Sequence, residues 1–133
     1  MSTPKFTEAK FFGAVAPGAC GIMEGMEYKV ENLVLDDGTC PAQEWLDALD
    51  DAMAARVLAY LNRLRGGNFG NFKPVAGAES LYEVTMDFGP GYRAYCGRDG
   101  LNLILVLCGG GKSTQRRDIA RAKRIWKQYK GGR

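Results

Sequence analysis

Arg93 and Tyr95 stand two positions apart in a stretch that alternates apolar and polar residues, so both side chains fall on one face of a strand. Lys112 follows the next apolar run and closes the adjoining strand. A guanidinium, a phenol and an ammonium grouped in this way suit the stabilisation of phosphoryl oxygens. With a shifted lysine or arginine they also suit proton transfer during RNA cleavage. A cross-strand pair on an exposed sheet face has the same pattern. The chain contains no histidine, which excludes Ser-His-Asp and Cys-His nucleophile systems. Its acids fall mostly on a helical face, and no two have a spacing that marks a shared site.

The net charge of +3 hides an asymmetry. From Lys112 to Arg133 there are nine Lys or Arg against one acid, Asp118, a net of +8; the remainder carries nine basic and fourteen acidic residues, a net of −5. Such a segment attracts phosphate backbones through counterion release, or an acidic protein by Coulomb attraction. Within it Arg116, Arg117, Arg121 and Arg124 are the candidate RNA-binding residues, RNA being the polyanion expected. A solvated helix face with a basic tail has the same composition.

Gly109-Gly110-Gly111-Lys112-Ser113-Thr114 between a strand and a helix looks at first like a phosphate-binding loop. The spacing of that motif requires a glycine where Val106 stands, and no strand follows the helix to complete a parallel βαβ unit. The segment can still present backbone N–H groups and Lys112 to a phosphate. The four cysteines, Cys20, Cys40, Cys96 and Cys108, form no C-x-x-C pair and read as small buried hydrophobes in a reducing compartment. No metal and no cofactor is expected. No apolar run reaches the roughly 20 residues of a membrane span. The Phe11–Met23 stretch is interrupted by glycines and Pro17, unlike a signal peptide, so the expected location is the cytoplasm.

At 133 residues the chain has the length of one domain. Residues 1–26 lack periodicity and are expected to form a poorly ordered extension, leaving 27–133 as the folded domain. Tyr28 to Leu35 reads as a strand ended by Asp36-Asp37-Gly38. Thr39 and Pro41 signal a helix start, and apolar residues from Leu46 to Leu64 recur at steps of three or four, as one helical segment or a helical hairpin ended by Gly66-Gly67. Asn68 to Ser80 reads as a loop. Strands follow at Tyr82–Phe88 and Tyr92–Cys96, then an Asp-Gly hairpin turn and the apolar run Leu103–Leu107, the most buried strand. Ser113 is placed to cap a last helix with an apolar stripe of Ile119, Ala122, Trp126 and Tyr129. The strands cluster in sequence, so the expected class is α+β with a small, mostly antiparallel sheet.

Leu81-Tyr82-Glu83, Phe88-Gly89-Pro90-Gly91-Tyr92-Arg93-Ala94-Tyr95, and Leu107-Cys108 through Gln115 to Asp118–Lys123 together resemble the RelE/ParE toxin superfamily. The resemblance is strongest to its HigB-like branch of addiction module killer proteins, and it covers about Tyr28 to Tyr129. It implies a RelE-like sheet packed by N-terminal helices, a cognate helix-turn-helix antitoxin, and cleavage of mRNA on the ribosome by the RNA 2′-hydroxyl without a metal. By motif position it implies catalytic roles for Arg93 and Lys112, with Lys73 in a looser match and Tyr95 orienting the RNA. Many relatives have an arginine where this chain has Thr85, and the C-terminal tyrosine of some members has no equivalent in Tyr129. The superfamily also contains toxins that inhibit a protein target such as DNA gyrase, so a non-catalytic toxin or an inactive antitoxin-binding module stands as the alternative.

Overall fold

The computed structural model describes residues 5–7 and 27–131. Its strands are β1 (Lys5–Thr7), β2 (Lys29–Val34), β3 (Phe72–Pro74), β4 (Leu81–Thr85), β5 (Arg93–Asp99) and β6 (Leu103–Gly110). Its helices are α1 (Pro41–Asp47), α2 (Asp51–Arg63) and α3 (Gln115–Gly131). The strands form one sheet in the order β1-β2-β6-β5-β4-β3. Only β2 and β6 pair in parallel; the other neighbours are antiparallel, as the clustering of strands in sequence predicts.

Helices cover both faces of this sheet, because its central strand is apolar on both sides. In β6, Ile104 and Val106 join a core under α1 and α2 with Leu46, Val57, Leu61 and Leu64. Leu105 and Leu107 join a second core under α3 with Tyr95, Ala122, Ile125 and Trp126. A continuous apolar run is what a strand buried on both faces requires. The pairing shifts between Tyr95/Cys108 and Cys96/Val106, leaving Leu107 as an extra residue, and this bulge explains why Leu107 and Cys108 both belong to the α3 core.

Helices α1 and α3 each pack against the sheet where a glycine leaves room. A Cβ at Gly97 would overlap the Trp126 ring on one face, and a Cβ at Gly109 would overlap the Trp45 ring on the other. The Trp126 indole N–H then donates to Glu79 O at 2.9 Å, and the Tyr129 hydroxyl donates to Asp99, so the second half of α3 is fixed.

The helical segment is the hairpin of two helices that its spacing allowed, the second capped by Asp50, whose side chain accepts from the Met53 N–H at 2.9 Å. Several other local expectations are corrected. Thr39 starts no helix: it bonds to Asp37 in the turn before α1, and Cys40 occupies the cap position. The expected 68–80 loop contains β3, three residues being too short to show a period. Ser113 does not cap α3. A 3-10 turn, Lys112–Thr114, precedes the helix, and Thr114 donates to the carboxylate of buried Asp118 at 2.6 Å. The fully buried stripe includes Ile125 in place of Ile119, which is partly buried. Of the segment expected to be an extension, Lys5–Thr7 pairs with β2; Cys20 and the Phe11–Met23 stretch lie outside the described residues.

Trp126→Ala is expected to cost about 3 to 5 kcal/mol in urea unfolding, the range for truncation of a buried tryptophan. Gly97→Ala is expected to cost about 1 to 3 kcal/mol by overpacking the same contact. A variant of either kind that unfolds at the parent's midpoint would mean that α3 does not seat on Gly97.

Candidate polyanion-binding site

Pairing across β3, β4 and β5 decides which polar residues meet. Lys73 lies opposite Glu83, Glu83 opposite Tyr95, and Thr85 opposite Arg93. Paired residues share a face. Tyr95 belongs to the α3 core, so these residues all lie on the α3 side of the sheet. The first turn of α3 reaches the same place, and Gln115 Nε2 donates to Glu83 Oε2 at 2.8 Å.

Glu83 is the centre of this group. The Tyr95 hydroxyl donates to the same carboxylate oxygen at 3.2 Å, and Arg93 Nε lies 3.4 Å from it. Arg93 Nη1 donates to Gly91 O at 2.9 Å. Lys112 also borders Gly91: its backbone N–H donates to Pro90 O at 3.2 Å, and a Cβ at Gly91 would lie 3.3 Å from Arg93 Nη1 and 3.5 Å from Lys112 Cβ. Arg93 and Lys112 therefore flank one glycine at the end of the sheet.

The sequence-predicted residues divide into three places. Arg93 and Lys112 meet at the Gly89–Gly91 turn, with Lys112 exposed and Arg93 half-buried. Lys73 is exposed on the outermost strand, in the same row as Glu83. Arg116 and Arg117 line a hollow with Ser113, Thr114 and Ala120 at the start of α3. Arg121 and Arg124 are exposed farther along the helix, where their charges act on the Cys108 thiol. Lys123, by contrast, reaches toward Gly77 beyond β3. The four arginines thus follow one another along α3.

Tyr95 is the principal correction. It was expected to orient RNA, yet it is fully buried and its hydroxyl is engaged by Glu83. Burial, followed by the Glu83 charge and hydrogen bond, pushes the phenol far above its ordinary range, so it stays protonated and acts on the site through Glu83. Sequence reasoning passed over Glu83 and Gln115. The polar alternation in β4 carried a signal for Glu83, but its partners depend on strand register and on where α3 lands.

Asp118 leaves the surface charge of α3 nearly intact. It is buried, bonded to Thr114, and 3.9 Å from Arg117, whose side chain is 78% exposed. Cys96 and Cys108 are free and buried, and burial raises both thiols, Cys108 to about 12. Among the described residues no three His, Cys, Asp or Glu side chains are grouped to hold a metal, and no helix is long and apolar enough to cross a membrane.

The chain is 41% identical over 86 residues to a Haemophilus influenzae (strain ATCC 51907 / DSM 11121 / KW20 / Rd) protein that bears the name uncharacterized protein; the match spans 64% of this chain and 85% of that one. No family profile matches the chain. No solved structure matches it.

The buried acids give the fold a defined response to alkali. Cys96, Cys108 and Tyr95 have folded pKa values above their ordinary ones, so above about pH 9 the unfolded chain releases protons that the folded chain keeps. Stability is expected to fall from about pH 9 toward pH 12, with a slope approaching about 1.4 kcal/mol per pH unit for each group. Urea unfolding at several pH values measures this, and Cys108→Ala is expected to make the slope shallower.

Proposed function

We propose that this chain, which belongs to the same family as that Haemophilus influenzae protein, is the toxin of a toxin-antitoxin pair: a RelE-like, HigB-type, ribosome-dependent mRNA endoribonuclease of the cytoplasm. The observation that carries the reading is the juxtaposition of Arg93 and Lys112 around Gly91, beside the basic first turns of α3. The resemblance of its motifs to those of the RelE/ParE superfamily supports it. So does the order strand, two helices, antiparallel strands, helix, with helices α1 and α2 packed on one sheet face.

In this reading the RNA 2′-hydroxyl gives up its proton to solvent and attacks the neighbouring phosphorus, a 2′,3′-cyclic phosphate forms as the P–O5′ bond breaks, and no metal takes part. Arg93 offers a planar fork to two phosphoryl oxygens, and charge that develops on them in the transition state strengthens the contact. Lys112 and Lys73 supply further charge or the proton for the leaving 5′-oxygen. Arg116, Arg117, Arg121 and Arg124 hold the RNA backbone by its phosphates. The partners are mRNA on the ribosome and a helix-turn-helix antitoxin.

One observation favours a second reading. Arg93 is already paired with Glu83, and Thr85 stands opposite it where many superfamily members have another arginine. A site whose central arginine is already engaged by a carboxylate also fits a non-catalytic toxin directed at a protein such as DNA gyrase, or an antitoxin-binding module.

Single-turnover cleavage of mRNA on programmed ribosomes separates the readings. Arg93→Ala is expected to slow cleavage by about 10²- to 10³-fold, as loss of one oxyanion donor does, and Arg93→Lys to restore it only in part because a point charge lacks the fork. Absence of cleavage by the parent protein would reject the enzyme reading in favour of the second. An Ala variant within threefold of the parent would reject Arg93 as a catalytic residue.

A further inference from the structure

Three donors converge on one oxygen, Glu83 Oε2, and they are not equivalent. Gln115 at 2.8 Å and the Tyr95 hydroxyl at 3.2 Å hold the carboxylate by hydrogen bonds. Arg93 Nε lies 3.4 Å away in an ion pair without hydrogen-bond geometry, and this buried Nε has no hydrogen-bond partner. A buried donor left in that state costs free energy that a better-placed acceptor recovers. The Arg93 side chain is 17% exposed and that of Glu83 13%, so solvent screens their attraction only weakly. Lys112 borders the same glycine, Gly91, as the Arg93 guanidinium.

We propose that Glu83 is an internal competitor for the phosphodiester. Its carboxylate, clamped by Tyr95 and Gln115, holds Arg93 by charge in the empty site, and an RNA phosphate binds by taking over the donors of Arg93 from the side of Lys112. Glu83 is thereby a specificity-determining residue: it weakens every anion at this site, so that a single phosphate binds poorly and a strand also held by the arginines of α3 binds well. Tyr95 and Gln115 are positioning residues, since they act through Glu83. This proposal rests on the reading of Arg93 as a phosphate ligand, and it does not require that the RNA be cut. A purely structural Glu83, tying the start of α3 to β4, would account for the Gln115 bond but not for an Arg93 contact that lacks hydrogen-bond geometry.

Glu83→Gln removes the charge while keeping the shape and an acceptor for Tyr95 and Gln115. Binding of a short labelled oligouridylate, read by fluorescence anisotropy at fixed salt, is expected to tighten about tenfold, as loss of a like charge a few ångströms from the bound phosphate should cause. Glu44→Gln on α1 changes the net charge equally and is expected to shift affinity less than about twofold, since it acts only through the screened field of the surface. Adding Arg93→Gln to Glu83→Gln is expected to abolish the gain. Glu83→Gln binding no tighter than Glu44→Gln, or a gain that survives Arg93→Gln, would overturn the proposal. Should Glu83→Gln fail to fold, the ¹⁵N-labelled parent decides: the Arg93 Nε–H resonance is expected to move on titration with oligouridylate, and a resonance unmoved at saturation overturns the proposal. If the parent cuts no mRNA on ribosomes while Glu83→Gln shows the Arg93-dependent gain, the endoribonuclease reading fails and this one stands.

Discussion

The Trp126 ring occupies the space that a side chain at Gly97 would fill, and the position of the basic helix depends on that contact. A large flat ring against bare backbone lets α3 approach β5 closely, and the hydrogen bonds of Trp126 to Glu79 and Tyr129 to Asp99 add direction to what packing alone leaves loose. With its second half held there, the start of α3 falls over β4 and β5, within reach of Glu83 through Gln115. The polar site is a consequence of an apolar contact some three helical turns away. Trp45 over Gly109 performs the same service for α1 on the opposite face.

The electrostatics follow from where that helix end lies. Its first turn carries Asp118, turned inward onto Thr114, so the partial positive charge of the helix start is met from within and the arginines outside remain largely uncompensated. Around Glu83 the opposite holds: one carboxylate, little exposed to solvent, answers a guanidinium, a phenol and an amide at once. A half-buried ion pair in such a network repays its desolvation only through the hydrogen bonds around it. Here the carboxylate has those bonds more fully than the arginine does. That imbalance gives the site its capacity to exchange an internal anion for an external one.

Much of the molecule was legible in its sequence. The strand at Tyr28, the apolar run Leu103–Leu107, the glycine stop at Gly66-Gly67 and the stripe through Ala122, Trp126 and Tyr129 are local patterns, and each follows from the periodicity of one element or from one residue's backbone preference. The polar alternation that placed Arg93 and Tyr95 on one face is likewise a property of β5 alone. What escaped was short or borrowed from neighbours: β3 with three residues, and Thr114 in place of Ser113.

The sequence by itself determined the kinds of element, their order, and the excess of positive charge on the last helix, because these depend on residues close together in the chain. Only the tertiary structure decided that Tyr95 lies beneath α3 and not in solvent, and that Arg93 meets Glu83. A strand's alternation says which residues share a face but not whether that face is covered. Pairing register and the docking of a distant helix settle that, and both are set by the sum of many apolar contacts that no local pattern records.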